Sequence, residues 1–114
     1  ERGDRVDLIN ELLDKNRELS TFITLLRKYG QELAEAERNY KVKLSETALK
    51  LKADKMPITL IDKVVYGQKE VAELRFKRDS AEVMYQVALE KINVTKLQIK
   101  ILQNQVDKEW GQAK

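Results

Sequence analysis

Cysteine and histidine are both missing from these 114 residues. Without cysteine there is no disulfide, no thiolate nucleophile and no cysteine-based metal site, and the redox compartment is not indicated. Without histidine, the commonest general base and the commonest metal ligand are lost together. The Glu-x-x-His pairs of di-iron helical bundles therefore cannot be built. Carboxylates are plentiful, among them Glu32, Glu35, Glu46, Glu70, Glu73 and Glu82. Tyr40, Lys41 and Tyr85 could exchange protons, but no spacing supplies them with a partner. There is no glycine-rich phosphate loop and no nucleophile elbow. These absences point to a protein that is not an enzyme and that uses no cofactor and no metal. No apolar run approaches the roughly 20 residues of a membrane span, so no membrane partner is expected. No signal-peptide pattern opens the chain at Glu1, and a cytoplasmic location is the expectation.

Proline, glycine and aromatics are also scarce. There is one proline, there are four glycines, and aromatic residues make up 6% of the chain. Charged residues make up 36%. That balance suits long helices in a hairpin, coiled coil or bundle rather than an α/β fold.

The one proline, Pro57, organises the rest. It has no N–H to donate, and it pushes Met56 out of the α region, so a helix arriving from the N-terminal side stops near Asp54 or Lys55. Thr59 followed by Asp62 has the spacing of a capping box. A short helix of about 59–66 follows, and Gly67 suits the left-handed position that closes a helix. A third helix covers about 68–110. Ile58, Leu60, Ile61, Val64 and Val65 are expected to plug the end of the hairpin, a reading favoured over an apolar docking tip.

The first helix, about 4–54 with Asp4 at its start, carries a heptad row Leu12, Leu19, Leu26, Leu33 and Tyr40. A companion row reads Ile9, Asn16, Ile23, Gly30, Glu37, Leu44 and Leu51. Asn16 either fixes register or lies at a wet edge. Gly30 either permits close approach or marks a kink. Glu37 marks a change of packing partner. Leu8, Leu13, Phe22, Leu25 and Tyr29 add apolar surface on the flank. The third helix has an inner row Val71, Leu74, Arg78, Ala81, Tyr85, Ala88, Ile92, Thr95, Ile99, Leu102 and Val106. A second stripe carries Val83, Val87, Val94, Leu97 and Ile101. Folding back about the break pairs Leu51 with the region of Val71 and Leu26 with that of Leu97. It sets Ala81 and Ala88 against Tyr40 and Leu33, and Leu12 near Trp110. Trp110-Gly111 ends the helix, with Trp110 capping the base, a reading favoured over an anchor for a partner.

A helix apolar on two faces is covered on two sides, and one two-helix hairpin cannot supply both covers. The chain therefore reads as a single all-α helical-hairpin domain that self-associates, most simply as a dimer forming a four-helix bundle. The residues expected to carry self-association are Leu8, Leu12, Leu13, Leu19, Phe22, Ile23, Leu26, Val87, Val94, Leu97 and Ile101.

Charge is unevenly spread. Residues 38–78 hold eleven basic and five acidic side chains, whereas residues 1–37 hold six and nine. A basic tip could touch phosphates without reading sequence, through Lys41, Lys43, Lys50, Lys52, Lys55, Lys63, Lys69, Arg75 and Lys77. It lacks interleaved aromatics for base stacking and any helix-turn-helix spacing.

Four stretches form an ordered set: Leu33-Ala34-Glu35-Ala36-Glu37-Arg38-Asn39-Tyr40-Lys41, Met56-Pro57-Ile58-Thr59-Leu60-Ile61, Val71-Ala72-Glu73-Leu74-Arg75-Phe76-Lys77-Arg78-Asp79 and Glu109-Trp110-Gly111. The set resembles small all-helical proteins encoded by phages and prophages of Gram-positive bacteria, over nearly the whole chain. Those relatives often place a glycine before the methionine, where this chain has Lys55. The resemblance implies an origin in an infected or lysogenic bacterial host and no catalytic or binding residues. The expected function is protein–protein contact, as an accessory or assembly factor or an inhibitor of a host protein. The alternative is a nucleic-acid accessory protein of phage replication or recombination, and a virion role is a third possibility.

Overall fold

A computed structural model describes the backbone of residues 2–112 and the side chains of residues 5–111. It is an all-α helical hairpin: α1 (Arg2–Ala53), α2 (Ile58–Val64), a single 3₁₀ turn (Val65–Gly67) and α3 (Lys69–Gln112). The helices begin and end within two residues of the expected positions. α1 begins at Arg2, and the side chain of Asp4, expected to open it, lies outside the described residues. α3 runs through Gly111 to Gln112, so Trp110-Gly111 does not end it.

The long helices are antiparallel. Lys43 pairs with Glu70, Tyr40 lies under Arg78, Gly30 meets Tyr85 and Phe22 meets Lys91, so one number falls as the other rises. The chain divides into two compact units. One joins residues 1–27 to residues 86–114, and the other holds residues 28–85.

The break at Pro57 is built differently from the expectation. Lys55 adopts φ 67, and it closes α1. The Lys55 N–H donates to the Lys52 carbonyl at 3.0 Å and the Met56 N–H to the Leu51 carbonyl at 3.1 Å. These are the two bonds of a Schellman motif, whose usual apolar contact joins the positions held here by Leu51 and Met56. Both are half-buried. Pro57 follows at once, and its carbonyl accepts from the Leu60 and Ile61 N–H groups. Pro57 is therefore the N-cap of α2, with no side-chain cap. The expected cap, Thr59, is already inside the helix, because Pro57 with ψ 139 leaves the helix free to start at Ile58.

Gly67 is likewise not left-handed, since no described glycine has positive φ. The chain enters α3 through Gln68 in extended conformation, whose carbonyl accepts from Ala72 N–H. A Cβ at Gly67 would meet open space, and Lys55 carries the strain instead. A left-handed non-glycine residue costs roughly 1–2 kcal/mol, partly offset by the greater freedom of glycine in the unfolded chain. Lys55→Gly should therefore raise stability by about 0.5–1 kcal/mol. Gly67→Ala should raise it by about 0.4–1 kcal/mol. Urea unfolding followed by circular dichroism checks both, and a lower midpoint for Lys55→Gly would contradict the cap geometry.

Inside the unit of residues 28–85, Val71 is fully buried, and Tyr40, Ile61 and Val65 are nearly so. Gly30 is half-buried, and a Cβ there would lie 3.3 Å from the Tyr85 ring. Of the two readings of Gly30, close approach is the one realised. The expected plug is only half a plug. Ile61 and Val65 are buried and Val64 is half-buried, whereas Ile58 and Leu60 are exposed.

Inside the unit of residues 1–27 and 86–114, Ala88, Ile92, Thr95 and Leu102 are buried. The Thr95 hydroxyl donates to the Lys91 carbonyl at 2.8 Å, so this buried polar group is satisfied within its own helix. Trp110 is 56% exposed and does not cap the base.

The expected register is also corrected. It would have set Phe22 near Ile101, but Phe22 meets Lys91. The expectation centred the reversal on the connecting segment. In the structure α3 starts beside the last three turns of α1, where Lys43, Thr47, Lys50, Leu51 and Asp54 share a shallow cleft with Gln68, Lys69 and Glu70.

Candidate protein-contact surface

The inner row of α3 is as expected. Each position from Val71 to Val106 at alternating three- and four-residue spacing is buried or half-buried. The inner surface of α1 combines Leu12, Leu19, Leu26, Leu33 and Tyr40 with Leu8, Lys15, Phe22, Tyr29, Ala36 and Lys43. Of the expected companion row, Ile9, Gly30, Glu37, Leu44 and Leu51 are half-buried as well, whereas Asn16 and Ile23 are exposed, so the row shifts by one residue only in the first half of α1. Asn16 takes the wet-edge reading. Its side-chain amide donates to the Leu12 carbonyl of its own helix at 2.9 Å.

Five of the residues expected to carry self-association, Leu8, Leu12, Leu19, Phe22 and Leu26, are therefore half-buried members of the chain's own inner row. Leu13 and Ile23 are exposed on α1. On α3, Val87, Val94, Leu97 and Ile101 are between 43% and 60% exposed. These four recur at intervals of seven, three and four residues, and so lie along one side of the helix. Val94 and Ile101 directly precede the buried Thr95 and Leu102. The stripe is thus rotated off the inner row and turned to solvent. In the other unit Val83, Phe76, Val42 and Leu49 are exposed, as are Ile58, Leu60 and Tyr66 near the reversal.

The residues expected at a phosphate site all fall in the unit of residues 28–85, and three of the nine already have a partner in the chain. Lys41 pairs with Glu37 at 3.4 Å and Lys43 with Glu70. Arg75 sits over the Tyr66 ring at 5.6 Å. Lys43, Lys50 and Lys69 share the cleft at the start of α3, but Asp54 and Glu70 line it too. Lys52, Lys55, Lys63 and Lys77 are exposed.

The hydrogen bond from Lys43 holds the Glu70 carboxyl below its ordinary pKa, and the same bond holds the Lys43 ammonium above its own. A carboxyl with a depressed folded pKa adds stability above its unfolded value and loses it as pH falls through the folded one. An ammonium with a raised pKa adds stability below its unfolded value and loses it as pH rises through the folded one. The pair therefore acts between about pH 4 and pH 10. Glu70→Gln should lower the urea midpoint slightly at pH 7 and not at pH 2. A deficit of equal size at both values would show that charge is not its source. The pair is solvent-exposed, so salt should erase the difference.

Sequence reasoning missed one feature of this unit. Arg78 occupies an inner-row position with its guanidinium 4.6 Å from the centre of the buried Tyr40 ring. It also donates to the Asp79 carboxylate from Nε at 3.0 Å and from an Nη at 2.8 Å. An arginine at a heptad core position opposite a tyrosine is the signal that could have revealed it.

No protein-family model matches the chain, and neither the curated proteins nor the solved structures compared with it gave a match. Among the described residues no three carboxylates are grouped so as to hold a metal ion. No described helix is long and apolar enough to cross a membrane.

Proposed function

We propose that this protein is a non-enzymatic helical hairpin that works by protein–protein contact and associates with itself. One observation carries the reading: Val87, Val94, Leu97 and Ile101 stand in water on α3 while the inner row of the same helix is covered. Complete burial of an exposed aliphatic side chain is worth about 1.5–3 kcal/mol, and side chains about half exposed forgo roughly half of that. Aligned exposed apolar residues mark an interaction surface. An accessory or assembly factor, or an inhibitor of a host protein, is the role that suits such a surface. The phage-type origin suggested by the resemblance belongs to the same proposal.

Light scattering across concentrations from about 1 to 100 μM, a range in which weak dimers form, should show a mass rising from one chain to two. A mass of one chain throughout would defeat self-association. The second reading, phosphate contact at the hairpin tip, is supported by Lys43, Lys50 and Lys69 lining one cleft. Gel-shift titration with single- and double-stranded DNA at two salt concentrations separates the two. The acids in that cleft favour no binding at physiological salt, and a salt-sensitive shift would establish the second reading.

A further inference from the structure

We draw no further inference here: the strongest candidate, the exposed apolar stripe of α3 through Val87, Val94, Leu97 and Ile101, belongs to the contact surface already described, and nothing in the structure shows what covers it.

Discussion

Tyr40→Ala should cost this protein about 3–5 kcal/mol, the range for removing a large aromatic from a packed interior. Tyr40 is 5% exposed, and the Arg78 guanidinium lies over its ring. The substitution removes the apolar contacts and the seat of the cation together. It leaves an arginine at an inner position with only Asp79 as a partner. Against a typical total of 5–15 kcal/mol, that is a large fraction. Two milder variants separate the causes. Tyr40→Phe keeps a ring face for the cation and should cost under about 1 kcal/mol, the net worth of an ordinary hydrogen bond. Arg78→Met keeps the apolar stem and should cost about 0.5–2 kcal/mol, the range of a cation over an aromatic face. Urea midpoints rank the three. A Tyr40→Ala variant as stable as the wild type would mean that α1 and α3 are not held together at this layer.

Ile92→Ala and Leu97→Ala should behave differently although only five residues separate them. Ile92 is 4% exposed, and truncating such a side chain costs about 2–5 kcal/mol through lost burial and a residual cavity. That loss should appear at every protein concentration, because it lies within one chain. Leu97 is 58% exposed, so its truncation should change the stability of a single chain by no more than about 0.5 kcal/mol. Association stabilises a protein in proportion to the logarithm of concentration. On the self-association proposed above, the Leu97→Ala deficit should be absent in dilute solution and grow with protein concentration. Unfolding curves at two concentrations fifty-fold apart read this directly. Equal deficits at both would place Leu97 in the chain's own core.

The inner row of α3 was legible because its apolar positions offer one choice at each turn. The row on α1 was less so. Leu8 stands beside Ile9, Phe22 beside Ile23 and Tyr29 beside Gly30. Two adjacent rows are therefore nearly equal in apolarity, and a helix alone has no reason to prefer either. The packing partner makes the choice, and over the first half of α1 it takes the row that includes Lys15, whose stem can lie along apolar surface while its ammonium reaches Glu18. The surplus of apolar surface was visible as too many hydrophobic residues for one seam. Which of them stay in water was not, and several residues assigned to the contact surface are half-buried within the chain itself. Proline marked the reversal correctly, but glycine misled. Gly67 is the residue type suited to a left-handed position, and yet Lys55 occupies one because the hydrogen bonds back to Leu51 and Lys52 require it there.

The sequence by itself determined two long helices, one break between them and more apolar surface than one hairpin seam can use. Those properties depend on local backbone preference and on periodicities of three and four residues, which are written in neighbouring positions. The tertiary structure alone decided the register of the two helices, the row that α1 turns inward, the cap at Lys55 and the exposure of the α3 stripe. Each of these is a choice between arrangements almost equal in local energy, and only contacts between residues far apart in the chain separate them.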